Sequence, residues 1–339
     1  MEINRIDLLK ALEIVKPGLA NKELVEQSTS FAFMGDKIVT YNDDISIAHP
    51  IKGLELTGAI KAEKLYQILG KFSTDTVTMD IKGSEILLKS GRAKAGLTLQ
   101  QEIKLPLEEE IAYKEKWKEL PKQFLEGIDL AMPCASRNMS RPVLTCIHIR
   151  KDGIIESSDD LRVMQYTMSE KMPLDNILLP VPAAVVMYKL KPTKVAKGNG
   201  WIHFKNEAGT VLSCRVFSDK FPNTDPILDM KGTKFTLPKE IAGVLDRAAV
   251  FAKRDHMLDE TVQITLESKK LKMKGESESG WFEESVDMDY KGEEVEFFIT
   301  PYLLKGIINQ SLEGRLVTNR LKFKGPNWVY VSALKALKK

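Results

Sequence analysis

Residues 120–168 read LPKQFLEGIDLAMPCASRNMSRPVLTCIHIRKDGIIESSDDLRVMQYTM. The first part predicts an α-helix with Pro121 at its first helical position. Apolar side chains then recur at helical spacing and give this helix one apolar face: Phe124, Leu125, Ile128, Ala131 and Met132. After the helix the period changes and predicts three short strands, at 143–149, 153–158 and 161–168.

The same order of helix and hairpins recurs along the chain. The matched positions are Leu8 with Phe124 and Asp43 with Asp159, each pair 116 residues apart, Pro121 with Pro238, 117 apart, and Pro182 with Pro301, 119 apart. A period this long indicates repeated domains, because solenoid units have about 20–50 residues. We therefore predict an α+β fold of three tandem domains, at 1–115, 116–231 and 232–339. Each should pack two helices on antiparallel sheets.

The predicted helices cover 5–15 and 61–72 and begin near residues 120, 182, 237 and 301. Strands are predicted at 29–34, 37–41, 45–50, 76–81, 85–90, 94–100, 143–149, 153–158, 161–168, 194–197, 201–205, 210–217, 262–267, 270–276, 281–290, 315–318, 320–324 and 328–332. Two stretches resemble linkers between the domains. One joins Glu108-Glu109-Glu110 to the charged run Lys114–Lys118, and the other covers 221–232.

Composition narrows the class of protein. With 43% hydrophobic and 29% charged residues in 339, the chain resembles a soluble globular protein. No segment approaches the roughly 20 apolar residues that span a bilayer, and the N-terminus lacks a signal peptide's pattern, so we predict a cytoplasmic protein without a membrane partner. Three widely spaced cysteines, Cys134, Cys146 and Cys214, are predicted to be buried thiols rather than disulfides or metal ligands.

Signatures of enzymes are absent from the sequence. There is no GxGxxG, GxxxxGK[ST], GxSxG or HExxH, and we predict no cofactor, no metal and no catalytic residue. The pairs Asp43-Asp44 and Asp159-Asp160 leave an alternative open, since adjacent carboxylates can hold Mg²⁺ or act as acid and base. We favour a turn role, because Asp side chains bond their own backbone in turns.

The net charge of +3 is too small to indicate a nucleic-acid-binding protein by itself. Many basic residues nevertheless fall on or just beyond the predicted helices, mostly off the apolar stripe. They are Lys10, Lys16, Lys64, Lys71, Lys122, Arg137, Lys189, Lys239, Arg247, Lys253 and Lys305. A layer of helices that contacts phosphates is consistent with this placement, and so is an ordinary solvated surface.

Taken together, these patterns resemble the bacterial sliding clamp, the beta subunit of the replicative DNA polymerase III. Besides the three modules, the resemblance rests on Ser157–Val163, which is similar to the family's central motif, on Phe221-Pro222-Asn223 and on Trp328–Val331. Asp160 and Leu161 stand where the family has Gly and His. The C-terminal residues 334–339 also extend past the usual end, as a flexible basic tail or as a cover of the groove. Such departures are typical of a divergent version, for example a phage-borne one.

The resemblance implies DNA-clamp domains that form half of a closed ring around double-stranded DNA, a homodimer, and a groove that binds peptides of the polymerase and the clamp loader. The groove residues would be Leu144, Arg162, Val163, Pro222, Ile227, Val329 and Val331, an apolar slot with one cation at its edge. DNA would contact Lys22, Arg137, Asn138 and Arg141. The dimer interface would include Leu97, Val250 and Phe251.

The predicted function is therefore a processivity factor without enzymatic activity. Two alternatives from other classes remain. One is a metal-dependent nucleic-acid enzyme that uses Asp159 and Asp160. The other is a three-domain scaffold that binds no nucleic acid.

Overall fold

The computed structural model describes residues 1–107 and 117–338. Most of the first predicted linker, at 108–116, lies outside the described residues, and so does the predicted domain boundary within it. The helices are α1 (Arg5–Val15), α2 (Ala62–Lys71), α3 (Phe124–Ala131), α4 (Val181–Leu190), α5 (Asp225–Leu228), α6 (Ile241–Ala252) and α7 (Pro301–Ile308). Short 3-10 turns lie at Lys16–Gly18, Met132–Cys134 and Pro142–Thr145.

Strands make up most of the remaining structure. They are β1 (Glu2–Asn4), β2 (Ser30–Gly35), β3 (Lys37–Tyr41), β4 (Ile45–Pro50), β5 (Leu56–Lys61), β6 (Thr76–Lys82), β7 (Glu85–Ser90), β8 (Ala93–Thr98), β9 (Lys118–Glu119), β10 (Cys146–Ile149), β11 (Ile154–Ser158), β12 (Arg162–Thr167), β13 (Ile177–Pro180), β14 (Lys194–Lys197), β15 (Trp201–Lys205), β16 (Val211–Arg215), β17 (Thr233–Thr236), β18 (Val262–Leu266), β19 (Lys270–Ser277), β20 (Gly280–Asp287), β21 (Val295–Ile299), β22 (Glu313–Val317), β23 (Arg320–Lys324), β24 (Trp328–Ala333) and β25 (Ala336–Lys338). The α+β class with antiparallel sheets is confirmed.

The chain divides into two compact units. The first contains residues up to 125 together with 172–218, and the second contains 126–171 together with the residues from 219 onward. Both units therefore combine segments that are distant in sequence, and the predicted middle domain contributes to each of them. The three predicted domain boundaries stay a prediction.

The first unit contains two sheets. One has the strand order β1-β6-β7-β8, and the other runs β5-β2-β3-β4-β16-β15-β14-β9. Helix α1 packs on β3 and β4 with Leu8, Leu12 and Val15 fully buried, as the helical spacing of these apolar residues requires. Phe124 stacks on Phe204 with ring centroids 6.0 Å apart.

The second unit also contains two sheets. One includes the order β10-β11-β12-β24-β23-β22-β17, and the other runs β20-β19-β18-β21-β25. Helix α6 packs on β19 and β20, and α7 lies against α6 and β24. The hydroxyl of Tyr330 donates a 2.7 Å hydrogen bond to the carbonyl of Leu303 in α7. This helix is therefore fixed to one face of the sheet that contains β24, which we call the long sheet.

Equivalent ladders join distant strands in the two units. In the first unit Ser46 of β4 pairs with Ser213 of β16. In the second unit Arg162 of β12 pairs with Ser332 of β24. Arg162 lies 116 residues after Ser46, and Ser332 lies 119 residues after Ser213. The two ladders thus keep the sequence offsets of the repeat, which confirms that one unit of structure recurs along the chain.

The predicted role of the repeated Leu-Pro-Lys segment is wrong. Helix α3 begins at Phe124 rather than at Pro121, and α6 begins at Ile241 rather than near Pro238. In both copies the amide that opens the helix donates to the proline carbonyl, at 3.0 and 3.1 Å. Each proline therefore belongs to a turn before the helix. The prediction is correct for Pro182 and Pro301, which lie in the first turns of α4 and α7.

Three other expectations differ from the structure. Residues 142–145 form a 3-10 turn, so that strand is shortened to β10. The second predicted linker, 221–232, contains helix α5. The backbone of Ala336–Lys338 pairs with Glu296–Phe298, so the C-terminal segment is neither a flexible tail nor a cover of the groove as far as it is described.

Cysteine placement agrees with the prediction from sequence. Cys134, Cys146 and Cys214 are free and buried, and burial raises the pKa of Cys134 to about 12. No helix among the described residues has the length and apolar character needed to cross a membrane.

Two glycines offer a matched stability test. A Cβ on Gly275 in β19 would lie 2.0 Å from the carbonyl oxygen of Ala248 in α6, whereas a Cβ on Gly70 in α2 would meet no atom within 4 Å. We expect Gly275→Ala to lower the free energy of unfolding by about 1–3 kcal/mol through overpacking. We expect Gly70→Ala to raise it by about 0.5–1 kcal/mol, because alanine favours the helix. Urea unfolding measures both, and equal stability of the two variants would contradict the close packing of α6 on β19.

Candidate functional site: an apolar slot in the second unit

A cavity of about 520 Å³ opens on the long sheet of the second unit. Six of the seven predicted groove residues line it: Leu144, Arg162, Val163, Pro222, Ile227 and Val331. The seventh, Val329, packs against the adjoining cluster of Val163, Leu228 and Val331. The structure therefore brings together all seven side chains that the sequence resemblance grouped.

The floor of this slot is the ladder between β12 and β24. Val163 lies directly opposite Val331, and Gln165 lies opposite Val329. Because side chains alternate along strands, these residues share one face, while Met164 and Tyr330 point to the other face and are buried. The slot thus lies on the face of the sheet opposite to helix α7.

One wall of the slot is the segment from Phe221 to helix α5. Phe221 is buried and stacks on the His148 ring at a centroid distance of 5.0 Å. Thr224 donates its hydroxyl hydrogen to Glu156 on β11. Glu156 is only 2% exposed, and it also interacts with Nδ1 of His148 at 2.8 Å. The wall is therefore fixed to the sheet by a buried polar contact, which is costly to break.

A second group of polar contacts fixes the start of α5. Asp225 accepts hydrogen bonds from Arg150 at 3.0 Å and from Gln165 at 3.1 Å. On the far side of the helix, the ammonium of Lys322 donates to the carbonyls of Leu228 and Met230. These contacts hold both ends of α5 over the sheet, so the slot is formed before any ligand enters.

The predicted role of Arg162 as a cation at the edge of the slot is wrong. The side chain is 8% exposed, and its guanidinium donates to Asp159 at 2.9 Å and to the carbonyl of Pro133. It also lies 4.8 Å from the centre of the Tyr302 ring. Arg162 contributes to the lining, but its charge is directed into the protein.

The charges that do lie at the rim are on other residues. Lys220 and Arg320 line the slot, and neither was identified from the sequence. Arg141 also lines it but forms an ion pair with Asp160. Asp160 has φ of +70°, a conformation that favours glycine, which agrees with the Gly that the related motif carries at this position.

The carboxylates of Asp159 and Asp160 serve separate interactions. Asp159 accepts hydrogen bonds from the backbone amides of Leu161 and Arg162 at 3.3 and 3.1 Å, which confirms the turn interpretation. In the corresponding turn of the first unit, the equivalent contacts with the amides of residues 44 and 45 are made by Asn42 and not by the predicted Asp43. Among the described residues no group of three or more His, Cys, Asp and Glu side chains is arranged to hold a metal ion.

The predicted DNA-contacting residues lie on exposed loops. Lys22 is exposed in the loop after α1. Arg137 is exposed in the loop 135–141, where the Asn138 side chain accepts the amide of Ser140 at 3.0 Å. Asn138 therefore shapes the loop, and Arg141 is paired with Asp160, which leaves Lys22 and Arg137 as the more accessible cations of the set.

The predicted dimer residues lie at or beside strands that end a sheet. Leu97 is on β8, the last strand of its sheet, and Phe251 lies against β20, which ends another. Phe251 stacks on Phe282 of β20 at 6.5 Å. Val250 and Trp281 are 66% and 65% exposed. Both edges thus present unpaired backbone groups among the described residues, and one has a large apolar surface beside it.

No model of a known protein family and no curated protein matches the sequence. Among solved structures, the chain is similar to the DnaN sliding clamp (DNA polymerase III subunit beta) of Pseudomonas aeruginosa bound to griselimycin, with TM-score 0.86, 15% identity and 99% of both chains covered. The DNA polymerase sliding clamp of Bacillus subtilis gives 0.84 and 16%, covering 99% of this chain and 98% of that one. The DNA polymerase III beta chain of Streptococcus pneumoniae gives 0.84 and 18%, covering 99% of both.

These similarities extend over nearly the full length of every chain compared. The protein therefore has the fold of the bacterial DNA polymerase sliding clamps. Identities of 15–18% make it a divergent example of that fold.

Arg162 offers a test of the packing beneath the slot. We expect Arg162→Met to lower the free energy of unfolding by about 3–5 kcal/mol at pH 7, because it leaves Asp159 buried without its cation. Burial raises the pKa of Asp159 and Arg162 opposes that rise, so the variant should have a folded-state pKa still further above the unfolded value. Protonation of Asp159 then favours the folded form of the variant. The loss in the free energy of unfolding should therefore become smaller as the pH falls towards 4.

Urea unfolding at pH 7 and pH 4 measures this effect. The double variant Arg162→Met with Asp159→Asn is the matched control, since it has no carboxylate to protonate at this site. An equal loss for Arg162→Met at both pH values would contradict the buried ion pair.

Proposed function

We propose that the protein is a DNA sliding clamp, a processivity factor that encircles double-stranded DNA and performs no catalysis of its own. The observation that carries this proposal is the combination of a clamp fold over the full chain with a preformed apolar slot in the second unit. The proteins with this fold that are described above are DNA polymerase sliding clamps. The expected place of action is the cytoplasm.

Charge on the helices supports sliding rather than tight binding. Three cations on or just after the helices of the third predicted domain are paired with carboxylates: Arg247 with Glu284, Lys253 with Glu260 and Lys305 with Asp246. Paired cations give weak, salt-sensitive attraction to phosphates. A ring holds DNA by linkage, so it needs no strong contact and no base recognition.

The slot is the proposed docking site for short peptides of a polymerase and a clamp loader. Its floor and wall are apolar, and both are held in place without a ligand. A preformed groove lowers the entropic cost of binding a flexible peptide. A C. crescentus beta sliding clamp of the same fold is described with polyethylene glycol at the region proposed to tether the beta-motif.

The two free sheet edges support a head-to-tail homodimer. The edge strand β8 and its turn carry Arg92 and Lys94, whereas β20 carries Asp287 together with Glu283 and Glu284, which also pair with Lys272 and Arg247 of the same chain. Pairing β8 of one copy with β20 of a second copy would join basic to acidic residues and remove both edges. Such a heterologous contact gives a closed ring when its rotation closes after two copies.

We expect Phe251→Glu to convert the dimer to a monomer, because it places a carboxylate in the apolar surface beside the acidic strand β20. Sedimentation at low micromolar concentration measures the native mass. Leu24→Glu is the matched control, since Leu24 is 87% exposed and belongs to neither edge strand, and it should stay dimeric. An unchanged dimer for Phe251→Glu would remove this interface from the proposal.

Topological retention tests the function itself. A duplex is tethered to a bead at one end and carries biotin at the other, so that a ring can thread over the free end without a loader. Streptavidin then blocks that end before a wash in 1 M salt, which suppresses contacts between charges. We expect the protein to stay on the blocked duplex and to leave it after restriction cleavage. Release by salt from blocked and open duplexes alike would overturn the sliding-clamp proposal.

A further inference from the structure

A second cavity of about 620 Å³ opens on the same long sheet of the second unit, beyond the slot. Its lining contains five cations, Lys231, Lys234, Arg315, Lys322 and Lys324. Among the described residues that line it, Glu313 is the one carboxylate. We call Lys234, Arg315, Lys322 and Lys324 the basic strip.

The register of the sheet places three of these cations side by side. Lys234 of β17 lies opposite Arg315 of β22, and Arg315 lies opposite Lys322 of β23. Like charges directly across a ladder destabilise a sheet. Burial lowers the pKa of Lys322, the nearby Asp229 carboxylate opposes that lowering, and the charges of Lys324 and Arg315 add to it. The folded protein therefore maintains a repulsive row in this part of the sheet.

Among the described residues the strip forms no close ion pair, although the charge of Asp229 acts on Lys322. In the part of the chain that the structure describes, Lys234, Arg315 and Lys324 have no carboxylate within 4.0 Å, whereas exposed lysines such as Lys270 and Lys272 on the other sheet each have one. The ammonium of Lys322 is directed to the carbonyls of Leu228 and Met230 at the end of α5, and Arg315 donates to the carbonyl of Gly232 at 3.4 Å. The strip thus has charge available for an external anion.

Protection of a sheet edge explains only part of this pattern. Lysines on edge strands block unwanted pairing, and β17 is the last strand of its sheet, which accounts for Lys234. Arg315 and Lys322 lie on β22 and β23, which are paired on both sides. Charges on inner strands have no edge to protect, so a binding role explains them better.

The basic strip and the slot share one face of the sheet. Lys322 lies opposite Val331, which in turn lies opposite Val163 on the slot floor. The opposite face contains the buried residues Phe235, Phe323 and Tyr330, of which Tyr330 is bonded to α7. Strands are about 4.8 Å apart, so Arg315 is about 10 Å from the slot floor, or three to four residues of extended chain.

We propose that the basic strip binds an acidic segment of the same partner protein whose apolar residues occupy the slot. This inference rests on the proposed function of the slot and defines the partner's chemistry: an apolar anchor with carboxylates a few residues away. Met230 lines the strip's cavity and also packs against the cluster of Val163 and Val331, so both sites share one wall. In the proposed clamp the helices face the DNA. A protein segment is therefore favoured over nucleic acid, because the strip lies on the slot's face of the sheet and not on the face with α7.

Synthetic peptides test the proposal on the full chain. Each fluorescent probe carries two leucines and a phenylalanine as the anchor, with a six-residue extension at its amino or carboxyl end. The extension contains four glutamates in one version and four glutamines in the other. Anisotropy titrations at 50 and 500 mM salt give the dissociation constants, and a single-stranded oligothymidylate of similar length is a competitor.

We expect one glutamate probe to bind roughly tenfold more tightly than its glutamine partner at low salt, which is the effect of two or three exposed ion pairs. High salt should remove the difference. Lys234→Gln with Lys324→Gln should also remove it while leaving the glutamine probe unaffected. The matched control, Lys37→Gln with Lys269→Gln, removes two exposed lysines elsewhere and should keep the preference.

Equal affinity for glutamate and glutamine probes, or a preference that survives in Lys234→Gln with Lys324→Gln, would overturn the acidic-segment proposal. Displacement by oligothymidylate with a direct affinity that depends on Lys234 and Lys324 would assign the strip to nucleic acid instead. Val331→Asp separates this inference from the slot. If the Val331→Asp variant no longer binds the glutamine probe, the slot is supported as the anchor site regardless of the result for the basic strip. If neither probe binds to the wild type, the slot proposal and the basic-strip proposal are both overturned.

Discussion

The antiparallel ladder between β12 and β24 is the contact on which the second unit depends. It pairs Val163 with Val331, two residues that are separated in sequence by about half of the chain. One face of this ladder is the slot floor, and the other is fixed to α7 through Tyr330. The equivalent ladder between β4 and β16 has the same place in the first unit. Contacts so distant in sequence cost loop entropy before they give any stabilisation, so the large buried cores on both units are needed to hold them.

Buried polar groups help to position the slot. Glu156, Asp159 and Arg162 are each largely buried, and each contacts a segment that forms part of the slot or supports it. Replacing such groups with apolar residues would preserve burial but lose the fixed positions of α5 and of the turn before β12. The slot therefore has its shape before a ligand binds. Its neighbouring cations are then free to add charge selectivity to an otherwise apolar recognition.

Local sequence determined the hairpins and left the pairings of distant strands undetermined. Strands 37–41, 85–90 and 320–324 are predicted to the residue, because each forms a hairpin with its neighbour in sequence and a turn signal lies beside it. Every one of the six longer helices also follows a short strand that the sequence prediction missed: β1, β5, β9, β13, β17 and β21. None of these strands pairs with the element next to it in sequence, so no hairpin turn signal marks it.

At the candidate site, too, some residues could be identified from the sequence and others could not. The seven groove residues came from the resemblance to a family, and they do lie together. Arg320 was missed because no local pattern places the start of β23 at the slot, whereas Lys220 directly precedes the Phe221-Pro222-Asn223 segment and could have been found from it. The role assigned to Arg162 was wrong because its burial depends on Asp159 and on Tyr302, more than a hundred residues away in α7.

The free edges at β8 and β20 connect this architecture to its function, because a clamp has to close and each chain offers one basic and one acidic edge. Direct imaging of single particles of the wild-type protein tests this closure most directly. The account predicts closed rings of two copies with a central hole wider than duplex DNA. Compact particles without a hole, or open chains of many copies, would contradict it.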